Sequence, residues 1–249
     1  MTASSGIEIN CDMGEGFGIY RLANDERLME SITMANVACG FHASDPAIMR
    51  RTVSLAAEHG VRVGAHPGFP DMQGFGRRVI PMEDEELFAA IVYQVGALQA
   101  FLNIDGLPLS YVKVHGALYG LAARDERVAA VIGRAADAFD VPLMGMAATM
   151  HEAVWGGRAQ GFLAEYYVDL DYDDDGSLII TREHVAYEPE RAAQAAVRAI
   201  TEHTAIARSG KEIPMRADCV CVHSDTPNAA EIATAVYAAL QPYLSKGIG

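Results

Sequence analysis

The chain is poor in cysteine, in positive charge and in long apolar runs, and each shortage narrows what it can be. Its four cysteines, Cys11, Cys39, Cys219 and Cys221, sit in strand-like apolar runs without an export signal ahead of them, so disulfides are not expected. Cys219 and Cys221 share a strand face with His223, which leaves a zinc site conceivable, but the usual C-x-x-C spacing is missing. With 19 Lys+Arg against 33 Asp+Glu, the formal charge of -14 repels phosphate backbones and anionic bilayers, so neither nucleic acid nor membrane is expected as a partner. The opening MTASSGIEIN lacks a basic patch followed by an apolar stretch, and nowhere do roughly 18 apolar residues run together. No signal peptide or membrane span is expected, and a cytoplasmic location is. Neither G-x-x-x-x-G-K-[ST] nor G-x-S-x-G occurs, so P-loop binding of ATP and serine-triad hydrolysis find no support. Linkers and low-complexity tracts are also missing, and residues 1–249 read as a single domain.

What is present is a rhythm. Five times an apolar run ends in charged residues, histidines and glycines: IEINCDMGEGFG from Ile7, ANVACGFHASD from Ala35, VRVGAHPGFPDMQGFGRR from Val61, YVKVHGALYG from Tyr111 and DCVCVHSDTP from Asp218. Runs of this kind separated by helix-like stretches predict parallel strands whose carboxyl ends converge on one polar mouth. Strands are expected at 7–11, 35–39, 61–65, 111–115, 141–146, 162–169 and 217–223. Helices are expected from Asp25 behind an Asn24 cap, from Pro46 to Glu58, from Asp84 to about Asn103, from Asp125, from Met150, from Pro189 to about Arg208 and from Asn228. An Asp-rich turn and a β-like segment, Leu178 to Thr181, interrupt the alternation. Seven strand-then-helix units favour an α/β fold of the parallel β/α-barrel type, TIM-like but irregular.

The chemistry should lie at the strand ends. Asp12 and Glu15 fall just past the first strand in a glycine-rich loop, where two carboxylates can share acid and base duties; the spacing is not that of a dinucleotide loop. His42 and His66 follow the next two strands, suited to proton transfer or metal ligation. Lys113 and His115 are two apart and project from one face, and an inward lysine needs an anionic partner, for which substrate is one candidate. Arg77 and Arg78 are candidates for gripping a carboxylate, with one of the two expected to serve. On the last strand His223 and Asp225 share a face, so the acid is expected to orient the histidine. Asp171, Asp173, Asp175 and Gly176 copy the start of a calcium loop, but Arg182 stands where the bidentate Glu belongs, and an acidic β-turn is the better reading.

The stretches NCDMGEGFG, NDERLM, ANVACGFHASDP, GAHPGFPDMQGFGRR, YQVGAL, KVHGALY, YDDDGSL and ADCVCVHSDTP, in this order over nearly the whole chain, closely resemble the LamB/YcsF family, whose members include the A subunit of prokaryotic 5-oxoprolinase. The resemblance implies an irregular seven-stranded barrel related to the glycoside hydrolase and deacetylase superfamily. It also implies hydrolysis of a cyclic amide, 5-oxoproline to glutamate, with ATP consumed and two further subunits taking part. It carries over Asp12, Glu15, His42, His66, Lys113, His115, His223 and Asp225 as site residues. The chain departs from the family pattern at Ser44, Val114, Gly120, Leu170, Ser224 and Thr226, all expected near the mouth; loss of an arginine at Leu170 would favour another lactam as substrate. Two alternatives stand beside this reading. One is a metal-dependent deacetylase holding a divalent ion on Asp12, His42 and His66, and the other a divergent paralogue that binds a small acid or regulates a partner.

Overall fold

A computed structural model describes residues 6–179 and 185–245. Six parallel strands, β1 (Glu8–Met13), β2 (Met34–Ala38), β3 (Arg62–His66), β4 (Leu109–Val112), β5 (Leu143–Gly145) and β6 (Phe162–Tyr167), follow one another round a barrel wall in chain order. Two small antiparallel hairpins come next, β7 (Asp171–Tyr172) with β8 (Leu178–Ile179) and β9 (Thr204–Ile206) with β10 (Glu212–Pro214), and neither joins the wall. The seventh wall strand is the last in the chain, β11 (Cys219–Val222), and β1 pairs with both β2 and β11 to complete the circle. Closure leaves no open edge, and the strand carboxyl ends are gathered at one mouth.

Helices α1 (Asp25–Met29), α2 (Pro46–His59), α3 (Asp84–Asp105), α4 (Gly116–Ala122), α5 (Glu126–Asp137), α6 (Met150–Trp155), α7 (Pro189–Thr201) and α8 (Ala229–Leu240) lie in the stretches between and after these strands. Their limits follow local chemistry. Asp45 caps α2 by accepting from the backbone N–H groups of Ala47 and Ile48, Pro46 occupies the first turn, and Gly60 closes the helix in a left-handed conformation. By length and composition α3 could cross a membrane. Here Leu87, Ile91, Val95, Leu98 and Leu102 are at most 5% exposed within the core, each burial worth about 1.5–3 kcal/mol. It is a core helix by packing.

Three expectations need correction. Asp12 lies inside β1 and not in the loop after it. An extra short helix, α4, starts at Gly116, directly behind His115. The helix expected to reach Arg208 stops at Thr201: His203 adopts a left-handed φ of 56°, and β9 and β10 then pair as a hairpin. The β-like segment from Leu178 is the second arm of the β7–β8 hairpin; Thr181 and Arg182 lie outside the described residues. Between its arms Asp173 N–H donates to Ser177 O at 2.8 Å, as the acidic turn requires.

The barrel interior is unusually polar low down. Asn10, Asn36, Tyr111, Lys113 and Glu165 are all buried there, and Tyr111 crosses the barrel directly over Gly64, where any side chain would collide with its ring.

Candidate active site

Lys113 follows β4 and reaches back across the barrel. Its Nζ lies 3.0 Å from Glu165 Oε2 and 3.4 Å from Asp12 Oδ1, with Asn10 Oδ1 at 3.2 Å and Cys221 Sγ at 3.1 Å. The anionic partner an inward lysine needs is therefore supplied by the protein, so the expectation of substrate in that place is corrected. Burial disfavours the ammonium, but Asp12 foremost and Glu165 outweigh it and hold the Lys113 pKa well above its ordinary value. Burial likewise opposes ionisation of Asp12, but His66 and Lys113 win and keep its carboxyl well below the usual range. Asn36 Nδ2 donates to Asp12 Oδ1 at 2.8 Å, and Tyr111 OH to Asn36 Oδ1 at 2.6 Å, so the carboxylate is fixed from below.

Three histidines crowd the near side of the mouth. His42 and His115 stack with ring centroids 3.7 Å apart, and His66 meets both edge-on. His66 Nδ1 donates to Lys113 O and His115 Nε2 to Phe75 O, each at 2.7 Å. This packing needs Gly76: its φ of +64° suits glycine, and a Cβ there would lie 2.7 Å from both His42 Cβ and His115 Cδ2. Glu15 reaches in between, with Oε1 3.3 Å from His42 Nε2 and 3.5 Å from His115 Nδ1, while Ser224 Oγ donates to Oε2 at 3.0 Å. Burial and the Asp12 charge raise the Glu15 pKa. Burial depresses those of His42 and His115.

On the far side His223 is oriented by Asp169, at 2.9 Å from its Nδ1, and not by Asp225 as expected. Asp169 Oδ2 also accepts from His223 N–H at 2.8 Å and from Thr226 Oγ at 3.2 Å. Burial opposes protonation of His223, but Asp169 and then Asp12 overcome it and lift the pKa to about 9. Asp225 instead pairs with Arg77, Nη2 to Oδ2 at 2.6 Å. Arg78 pairs with Asp71, well exposed and outside the cavity, so of the two arginines only Arg77 serves the mouth.

These groups enclose a cavity of about 260 Å³ that Asp12, Glu15, His66, Lys113, His115 and His223 all line. His42 sits behind His115 and does not line it. Val114, Gly120 and Leu170, three of the departures from the family pattern, do line it, while Ser224 and Thr226 brace Glu15 and Asp169. Ser44 holds a φ of 76°, a conformation glycine adopts without cost.

The cysteines do not form a metal site. Cys219 takes Asn10 Nδ2 and Cys221 lies under Lys113; burial keeps both thiols protonated, with pKa values well above ordinary. Among the described residues the metal-capable group is Glu15, His42, His66 and His115, so Glu15 and His115 stand where Asp12 was expected.

Sequence reading missed Asn10, Asn36, Glu165, Asp169 and Arg124. An acid at an inward position of the apolar run FLAEYY was the available signal for Glu165. Asp169 stands two residues past a strand end like the others, without a neighbouring histidine to mark it. Arg124 lines the cavity, donates to Gly120 O at 3.0 Å and forms no ion pair with the described residues.

Barrel and mouth together define a β/α-barrel protein with a small acid–base pocket at the carboxyl ends of its strands. Residues 7–245 match the model of the LamB/YcsF family, and the chain belongs to that family. It is 46% identical over 231 residues to the A subunit of 5-oxoprolinase from Symbiobacterium thermophilum, covering 91% of this chain and 88% of that protein. With the A subunit of 5-oxoprolinase from Geobacillus thermodenitrificans it shares 42% identity over 240 residues, covering 94% and 93%. A crystal structure of the lactam utilization protein from Thermus thermophilus superposes with a TM-score of 0.87 at 40% identity, covering 95% of this chain and 96% of that one.

Proposed function

We propose that this chain opens the ring of a small cyclic amide carrying a carboxylate, 5-oxoproline being the first candidate, as one component of a multi-subunit, ATP-dependent hydrolase. The observation that carries the reading is the meeting of two carboxylates, an ammonium and an imidazolium around one small cavity. About 260 Å³ falls below the roughly 300–1,000 Å³ of drug-sized pockets and suits a single small ring. The names of the relatives, a 5-oxoprolinase component and a lactam utilization protein, support the substrate class, and the naming of the former as a subunit supports partners.

In this reading Glu15, with its raised pKa, takes the proton of the attacking water. Lys113, kept cationic by Asp12, faces the oxygen on which negative charge grows. His223, charged near neutrality and held through Nδ1 by Asp169, passes a proton from Nε2 to the departing nitrogen. Arg124 holds the substrate carboxylate at the rim. An unstrained amide resists water, so phosphorylation of its oxygen would create a better electrophile. No P-loop sequence is present here, and we assign the ATP step to work with the partner subunits.

The test is co-expression with candidate partner subunits and an ATP-dependent assay of glutamate formation from 5-oxoproline, with related lactams alongside. Glu15→Gln is expected to lower turnover by about 10²–10⁴-fold with the circular dichroism spectrum unchanged. If no lactam is opened with any partner, the reading fails.

A further inference from the structure

His66 and His115 turn one ring nitrogen each toward the other and toward Glu15. His66 Nε2 lies 3.0 Å from His115 Nδ1. The remaining nitrogen of each ring is 2.7 Å from a backbone carbonyl, Lys113 O for His66 and Phe75 O for His115. A carbonyl only accepts, so those nitrogens carry hydrogens, and each ring turns its other nitrogen toward the shared space. His66 Nε2 also lies 3.4 Å from Asp12 Oδ1, so two carboxylates border the space that the imidazoles face. A cation placed there would meet imidazole nitrogen and carboxylate oxygen together.

The surroundings match such an ion. Glu15 Oε1 lies 3.5 Å from His115 Nδ1 and 3.3 Å from His42 Nε2. One ligand atom from each of Glu15, His42, His66 and His115 falls within 4.8 Å of all the others. Donors held about 2.0–2.1 Å from a shared ion at a tetrahedral angle would sit about 3.3–3.4 Å apart, near the 3.0, 3.3 and 3.5 Å found here. The backbone carbonyls behind His66 and His115 are the outer partners that ligating histidines use to fix tautomer and ring orientation. His42 is the outlier, because its buried Nδ1 has no hydrogen-bond partner among the described residues.

We propose that Glu15 Oε1, His66 Nε2 and His115 Nδ1 bind a divalent transition-metal ion of the zinc type, with His42 Nε2 as an auxiliary fourth donor. Three imidazoles and one carboxylate suit zinc, iron or nickel better than magnesium or calcium, which favour all-oxygen shells. Because Glu15, His66 and His115 also line the cavity, the ion would border the substrate space. Glu15 keeps Oε2, on Ser224 Oγ, for the proton transfer proposed above. The metal site requires no step of that reaction.

The experiment is elemental analysis of the full chain purified without metal-affinity resin, followed by chelator treatment and titration with Zn²⁺ by calorimetry and Co²⁺ by visible absorption. Stoichiometric uptake is expected, with cobalt bands in the intensity range of low-coordinate nitrogen ligation. His66→Gln and His115→Gln are each expected to weaken Zn²⁺ binding at least about 100-fold, and His42→Gln no more than about 10-fold. Circular dichroism checks that each variant is folded. Failure of the wild-type chain to take up Zn²⁺ or Co²⁺, or uptake unaltered in a folded His66→Gln/His115→Gln double variant, overturns the site. Metal binding without lactam opening in the partner assay leaves this inference standing and removes the functional one; ring opening by a chain that takes up no metal does the reverse.

Discussion

Lys113 organises its surroundings because a buried ammonium cannot be left alone. Asp12 and Glu165 neutralise it, Asn10 and Asn36 tie the carboxylate side, and the cavity inherits a fixed positive group. Arg124 is the contrasting case, a cation at the rim whose hydrogen bond goes to a backbone carbonyl. Arg124→Ala is expected to raise KM for a carboxylate-bearing lactam about tenfold with kcat little changed, and to leave KM for an uncharged lactam alone. Steady-state kinetics on the two substrates in the assembled enzyme make the check. Ser44 illustrates a backbone cost: at φ 76° an L-residue is strained by about 1–2 kcal/mol. Ser44→Gly is expected to stabilise the fold by about 0.5–1 kcal/mol net of the unfolded-state entropy glycine adds, visible as a higher urea midpoint.

At the scale of elements, the strand-end rule carried most of the information. Apolar runs ending in His, Gly and acids marked β1, β2, β3, β4 and β11, because buried parallel strands must be apolar while their carboxyl ends face the mouth. The rule failed where a short turn was competitive. The helical pattern from Pro189 continues in composition past Thr201, but His203 turns left-handed and the chain pairs as a hairpin. Asp45 shows one cap serving two elements: its Oδ1 accepts from Ala47 and Ile48 in α2, and its Oδ2 from Gly18 in the loop after β1. Asp45→Ala is expected to cost about 1–2 kcal/mol and to loosen that loop, measured by denaturation and by hydrogen exchange at Gly18.

For the whole molecule, stability should depend on pH through His223. Its pKa rises from 6.5 to about 9 on folding, so the stabilisation is complete below about pH 6.5 and is lost as pH climbs through about 9. The loss is on the order of 3 kcal/mol at most. Denaturation midpoints should therefore fall from about pH 6.5 to about pH 9.5, and Asp169→Asn should flatten that limb; an equally steep limb in the variant would sink the assignment.

Read alone, the sequence determined the βα alternation, the strands that end at the mouth, and most of the residues gathered there, because side-chain periodicity and turn chemistry are local properties of the chain. Pairing across the barrel was decided only in three dimensions. Which acid meets Lys113, why Asp169 and not Asp225 holds His223, why Arg77 and not Arg78 serves the mouth, and that His66 and His115 meet at 3.0 Å all depend on barrel closure and strand register. These are contacts between residues tens of positions apart, and no short stretch of sequence encodes them.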